Sequence, residues 1–290
     1  EPAAAASPPR LGAEPSARGP TAASAPLEVA ALGPLRIGGT GREGAAADAW
    51  SAARTRELLV FLLLHPEGAS KQEIGRALWP DASASQLRNA FHVALHRLRS
   101  ALASTLGPDA GLGPDAGDGE TVAVHAGRYR LHPALAAGFD VPCFEALARR
   151  GLAASAASGG GGLDDLLAAL DLYRGELLAG EPAGEWHLAR RDALEHLFLQ
   201  ALAAAGELLE TAGRSAEACA VYRRWIAVDD LCELAYRRLM ICLDDLGERP
   251  EALRVYRRLA AVLERELGVE PEAETRQVHE QIQRAARRSR

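Results

Sequence analysis

Residues 70–102 constrain the fold of this chain more than any other segment, because two helix starts follow each other closely there. Ser70-Lys-Gln-Glu73 and Ser83-Ala-Ser-Gln86 are both capping boxes, in which each side chain accepts a hydrogen bond from the other residue's backbone amide. The first box predicts a short helix that ends near Trp79-Pro80. The second predicts a longer helix with an apolar stripe at helical spacing. That stripe consists of Leu87, Phe91, Leu95, Leu98 and Leu102.

The other faces of the longer helix carry basic and amide groups, and no acidic residue occurs from Ala82 to Pro108. Two helices joined by a tight turn, the second presenting such groups outward, are typical of a helix-turn-helix that reads DNA. Asn side chains can pair with adenine and Arg side chains with guanine. A solvated charged face is the alternative interpretation. The candidate DNA-contacting residues of this helix are Arg88, Asn89, His92, His96, Arg97 and Arg99.

The same residues give little support to a metal site or an enzyme. His92 and His96 lie one turn apart, but no Glu follows His92 and no third ligand is near in sequence. No phosphate-binding Gly-rich loop and no nucleophile elbow are present. We therefore expect neither catalysis, nor a metal, nor a cofactor. The four cysteines lack paired spacing, which predicts buried, reduced thiols in a cytoplasmic protein, and no apolar run has the length of a membrane span.

Short strand signals surround the two capped helices. Leu27–Ile37 reads as two strands around a Gly-Pro turn, and Arg54–His65 reads as an apolar helix. After the capped helices, residues 107–119 contain Gly-Pro-Asp-Ala-Gly twice and predict a surface loop. Thr121–Val124 and Tyr129–Leu131 then predict a hairpin with Gly127 in the turn. A hairpin directly after the second helix would be the wing of a winged helix.

The C-terminal half contains an internal repeat. Ala216-Glu-Ala-Cys-Ala-Val-Tyr-Arg-Arg224 recurs 34 residues later as Pro250-Glu-Ala-Leu-Arg-Val-Tyr-Arg-Arg258. This period and its small-residue and Tyr positions fit tetratricopeptide repeats, in which each helix pair stacks on the next. The acidic residues of this half could belong to a concave face that binds a protein, or they could be solvated without a binding role. The sequence leaves both interpretations open.

Composition and charge divide the chain into three parts. Residues 1–26 are mostly Ala, Pro, Ser and Gly and predict a disordered linker. Residues 27–150 hold 13 acids and 13 bases, whereas residues 151–290 hold 24 acids and 18 bases. We therefore expect a winged-helix domain at 27–135 and a helical domain at 140–290. The fold class is mainly α with a small β component.

In this order the motifs resemble a known family. The segments from Arg54 to Leu59, Leu62 to His65, Ala77 to Asp81, Leu95 to Arg99 and Gly127 to Leu131 are similar to an OmpR-type winged helix. Phe139-Asp-Val-Pro-Cys-Phe144 resembles the entry into a bacterial transcriptional activator domain, an all-α tetratricopeptide-like module. This pair of domains is the core of Streptomyces antibiotic regulatory protein-type activators and of larger regulators that carry it at one end.

The resemblance implies a transcriptional activator that binds promoter repeats on double-stranded DNA, self-associates there and contacts RNA polymerase or another protein. It also implies a wing contact with DNA by His125, where the family usually has Arg, and by Arg128, which replaces a glycine before Tyr129. Two other hypotheses stay open. The chain could be a protein-interaction scaffold with weak or lost DNA binding, or the output end of a larger signalling ATPase regulator.

Overall fold

The computed structural model describes residues 27–39, 49–106, 121–157 and 161–288, and the fold is given for these residues. The linker expected at 1–26 and the repeated motif at 107–119 lie outside them. The helices are α1 (Ala53–Leu64), α2 (Lys71–Leu78), α3 (Ala84–Leu106), α4 (Pro133–Ala136), α5 (Asp140–Ala156), α6 (Leu163–Leu172), α7 (Leu188–Thr211), α8 (Ser215–Val228), α9 (Glu233–Asp245), α10 (Arg249–Leu267) and α11 (Ala273–Arg288). The strands are β1 (Leu27–Ala30), β2 (Arg36–Gly39), β3 (Ala69–Ser70), β4 (Val122–His125), β5 (Arg128–Leu131) and β6 (Gly138–Phe139).

The predominance of helices confirms the predicted fold class. Both capping boxes form as predicted: Glu73 N donates to Ser70 Oγ over 3.2 Å, and Ser83 N donates to Gln86 Oε1 over 2.9 Å. α3 turns its apolar stripe inward, where it packs on α1 and leaves Phe91 and Leu98 fully buried. In the described part of the chain, no helix is long and apolar enough to cross a membrane.

Two small sheets frame the winged helix. The first has the strand order β2-β1-β6, with β2 antiparallel and β6 parallel to β1. The second has the order β3-β5-β4, and all of its pairs are antiparallel. The predicted wing hairpin forms between β4 and β5, and its turn places Ala126 and Gly127 in the left-handed region at φ 49° and 74°. The sequence motifs missed β3 and β6, which are only two residues long.

The 34-residue repeat corresponds to two stacked helix pairs, α8–α9 and α10–α11. Gly213 and Gly247, which are equivalent in the two repeats, follow helices and have φ values of 68° and 77°. Only glycine adopts this conformation without strain, and it ends each helix. Of the four free cysteines, Cys219 and Cys242 are buried as expected, whereas Cys232 is half-buried and Cys143 is exposed.

Gly206 allows α7 to approach the first repeat closely. A Cβ atom at this position would lie 2.5 Å from Cε1 and Cζ of Tyr222, whose ring is 1% exposed. We expect Gly206→Ala to lower the free energy of unfolding by about 1–3 kcal/mol, because the buried ring has to move. Helix propensity alone predicts the opposite sign, a gain of up to about 1 kcal/mol. Urea unfolding decides between them, and an unchanged or higher midpoint contradicts this packing.

A buried carboxylate on α1 joins the winged helix to the helical half. Glu57 is 4% exposed, and its Oε1 accepts hydrogen bonds from Trp186 Nε1 at 2.7 Å and from the Gly184 amide at 3.1 Å. Arg54 forms an ion pair with the same carboxylate. The Trp186 ring also meets Phe61 edge-on, with ring centroids 5.2 Å apart. One acidic side chain thus organises the contact between two distant segments.

Asp140, at the start of α5, makes a second contact between the N-terminal segments and the helical half, because it binds the backbone just after β1. Its carboxylate accepts hydrogen bonds from the Ala31 amide at 2.9 Å and the Leu32 amide at 3.1 Å. Arg174 Nη2 lies 3.3 Å from Asp140 Oδ2. Burial raises the pKa of the Asp140 carboxyl despite these hydrogen bonds. The two carboxylates thus connect the N-terminal segments to the helical half at two places.

Candidate nucleic-acid interface

The outward side of α3 forms an exposed surface without an acidic side chain. Five of the six predicted contact residues of this helix are exposed in the structure. Of the described residues, no acid lies within ion-pair distance of Arg88 or Arg97. Their guanidinium groups therefore remain available to an external anion. We call the following set the α3 face: Arg88, Asn89, His92, His96 and Arg97.

Arg99 differs from the other five predicted residues of α3. It is half-buried, and its Nη2 donates a hydrogen bond to the Val122 carbonyl oxygen over 2.8 Å. Val122 begins strand β4 of the wing. Arg99 therefore ties α3 to the wing, and its expected contact with DNA stays a prediction. Sequence spacing could not reveal this, because Val122 lies 23 residues away.

The wing residue Arg128 also has an internal role. Its Nη2 and Nε donate to the Gly68 carbonyl oxygen over 2.7 and 3.1 Å, and its Nη1 lies 3.2 Å from Glu73 Oε2. Hydrogen bonds with the Ser70 amide and hydroxyl, and to a smaller extent the pairing with Arg128, lower the pKa of the Glu73 carboxyl. Arg128 thus holds the wing to the start of α2, and its expected contact with DNA stays a prediction. His125 is exposed beside the hairpin turn.

The sequence motifs passed over Val93, which lies near the middle of the α3 face. This side chain is 51% exposed, although valine usually packs inward. It follows Asn89 by four residues, so the two lie one turn apart on the same side of the helix. The sequence signal that could have indicated the exposure of Val93 is its position outside the stripe of Leu and Phe residues. Arg130 of β5 is a second exposed base that the motifs did not single out.

The neutral charge of residues 27–150 conceals a separation of charges. Several acids of this half are engaged inside the fold: Glu57 and Asp140 are buried, and Glu73 is paired with Arg128. The bases of the α3 face have no such partners among the described residues. A net charge near zero is therefore compatible with a local cationic surface, which is what an approaching polyanion would meet.

The comparisons with known proteins agree with this architecture. The family profile of the bacterial transcriptional activator domain matches residues 139–283. The regulatory protein AfsR of Streptomyces coelicolor is 29% identical over 266 residues, which are 90% of this chain and 25% of AfsR. This chain therefore spans about a quarter of the length of that curated relative.

A solved structure shares the fold. The structure of Mycobacterium tuberculosis EmbR in complex with a low-affinity phosphopeptide matches with a TM-score of 0.66 at 24% identity. The match covers 90% of this chain and 65% of the EmbR chain. The winged helix, the tetratricopeptide-like half and the matched family profile lead to one assignment. The chain belongs to the bacterial transcriptional activator domain family, and its architecture is similar to that of regulators of the Streptomyces antibiotic regulatory protein type.

Proposed function

We propose that this regulator activates transcription by binding double-stranded DNA in a sequence-specific manner through the α3 face. The observation that carries the proposal is the exposure of Arg88, Asn89 and Arg97 on one helix, with no acid of the described residues paired to either arginine. An α-helix fits the major groove of B-DNA, where Arg and Asn side chains form bidentate pairs with guanine and adenine. Arginine side chains on such a face also neutralise phosphates of the DNA backbone.

The helical repeats supply protein contacts in this proposal, either with a second copy on adjacent promoter repeats or with RNA polymerase. The buried hydrogen bonds of Glu57 with Gly184 and Trp186 support a mechanical link, because they join the winged helix to the segment that leads into the helical half. A protein bound to the repeats would then be placed at a defined position on the promoter. The wing residue His125 contributes a backbone contact.

A selection from a random duplex library with the complete chain tests the proposal. We expect an enriched motif, and we expect affinity for that motif to fall steeply as salt rises. The competing hypothesis of a protein-interaction scaffold predicts no enrichment and no DNA retention even at low salt. That result would overturn the proposed function.

The selected motif should depend on Val93. We propose that its exposed methyl groups contact the C5-methyl group of a thymine, since an apolar side chain at the centre of a recognition surface has no polar base edge to bind. We expect Val93→Ala to relax the preference for thymine at one position and to weaken binding about 5-fold, roughly 1 kcal/mol. Repeating the library selection with this variant measures the effect. An unchanged motif at every position would exclude Val93 from base recognition.

A further inference from the structure

A cavity of about 420 Å³ lies between α8 and α10, the equivalent first helices of the two repeats, with α9 beneath it. Its floor is apolar and includes Ile226 and Leu239. Three arginines surround the opening: Arg223, Arg254 and Arg258. An apolar floor with a cationic rim distinguishes this cavity from the acidic half of the chain in which it lies.

A buried hydroxyl group belongs to the lining of this cavity, and Arg258 lies beside it. Tyr236 lines the cavity and is 1% exposed, and its Oη forms no hydrogen bond of normal geometry among the described residues. Burial raises the pKa of this phenol, with Arg258 opposing the shift, so the hydroxyl keeps its proton and can donate it in a hydrogen bond. A buried polar group without a partner is costly, and an acceptor on a bound ligand would remove that cost.

The rim of the cavity has an excess of positive charge. Arg254 Nε donates to Glu251 Oε2 over 2.6 Å, so this pair is internally neutralised. In the described part of the chain, no acid lies within ion-pair distance of Arg223 or Arg258. The surrounding residues 151–290 have six more acids than bases. Two unneutralised arginines beside an apolar floor therefore match a ligand that combines a carboxylate with a large apolar side chain.

Comparison of the two repeats shows how the chain treats the same arginine elsewhere. Arg224 is the residue equivalent to Arg258, 34 positions earlier. Its guanidinium lies 4.9 Å from the ring centroid of Phe198 and donates to the Tyr173 carbonyl oxygen. Arg224 is therefore already bound by an aromatic ring and a carbonyl oxygen of the chain itself. Among the described residues, Arg258 has neither an aromatic ring nor a carbonyl oxygen as a partner; it lies beside the neutral Tyr236 hydroxyl and lines the open space of the cavity.

We propose that this cavity binds an extended acidic peptide segment of a partner protein, with a carboxylate between Arg223 and Arg258 and a large apolar side chain on the Ile226–Leu239 floor. A backbone carbonyl of the peptide accepts the hydrogen bond of Tyr236. This inference rests on the proposal that the helical repeats contact a protein, and it is independent of the α3 face. It assigns those contacts to the groove between the two repeats.

The test uses a library of random 12-residue displayed peptides against the complete chain. We expect the enriched peptides to place Asp or Glu next to an aromatic residue or Leu. A synthetic peptide with the enriched sequence, measured by fluorescence anisotropy, should bind at least 10-fold more weakly to Arg223→Ala/Arg258→Ala and about 5-fold more weakly to Tyr236→Phe. Arg257→Ala is the matched control, since Arg257 is exposed on the same helix and donates to the Leu253 carbonyl oxygen.

Several outcomes overturn the proposal. These are the absence of any enriched peptide, enrichment without acidic residues, and equal affinity of the double variant and the wild type. Loss of self-association in the double variant, with no peptide selected, would assign the cavity to a second copy of the chain and would also contradict the proposal. Thermal melting shows whether each variant is folded. Duplex binding measured on the same samples keeps failure of the peptide site distinct from failure of the α3 face.

Discussion

Replacing both Arg88 and Arg97 with alanine is expected to weaken binding to the selected duplex about 30-fold or more at constant salt. The estimate assigns about 1 kcal/mol or more to each arginine that meets a base or phosphate. Both side chains are exposed and have no acidic neighbour among the described residues, so their removal leaves no internal charge unpaired. The loss should therefore appear in binding and not in folding.

The salt dependence gives a second readout for the same variant. If both arginines neutralise phosphates, the slope of log affinity against log salt should decrease in magnitude by about 1.8. Arg284→Ala is the matched control, because Arg284 is an exposed helical arginine on α11 whose partner is Glu280 one turn away. Equal affinities for the wild type, the double variant and the control would exclude the α3 face from DNA binding.

The second large effect concerns the joint between the two halves. We expect Glu57→Ala to lower the free energy of unfolding by about 3 kcal/mol, because it leaves the Trp186 indole, the Gly184 amide and the Arg54 guanidinium without their buried acceptor. Trp186 is a natural probe of the change, since its indole loses a hydrogen bond of 2.7 Å. Urea unfolding followed by tryptophan fluorescence measures both.

Glu57→Gln separates the hydrogen bonds from the charge. The amide oxygen of glutamine can still accept from Trp186 Nε1, whereas the ion pair with Arg54 is lost. We therefore expect Gln to destabilise the protein less than Ala. If Ala and wild type unfold at the same urea concentration, Glu57 does not join the two halves in the way the structure indicates.

The parts of this fold that were predictable are those with local causes. The capping boxes at Ser70 and Ser83 act within three residues, and the wing turn needs only Gly127 and its neighbours. The 34-residue period predicted the stacked pairs because equivalent residues make equivalent contacts. In each case the information lies within one element or one repeat unit.

The parts that were missed depend on contacts between distant residues. β6 pairs with β1 across more than 100 residues, and each contributes only a two-residue match. The internal hydrogen bonds of Arg99 and Arg128 were also missed, because the carbonyl oxygens that accept them are not marked by any pattern in the sequence. The sequence alone does not distinguish an exposed arginine from one that is hydrogen-bonded inside the fold. Only the tertiary structure separates Arg97 from Arg99.

The most direct test of the α3 face is cleavage of bound DNA from a tethered iron chelate. Ser85→Cys carries the tether at the exposed start of α3, and Ala261→Cys, exposed on α10, carries it in the control. Both are made with Cys143→Ser and Cys232→Ser, since these two native cysteines are not buried. The tether at position 85 should cleave within the selected motif, and the tether at 261 should not. Cleavage from 261 alone, in a complex that still forms, would contradict entry of α3 into the groove.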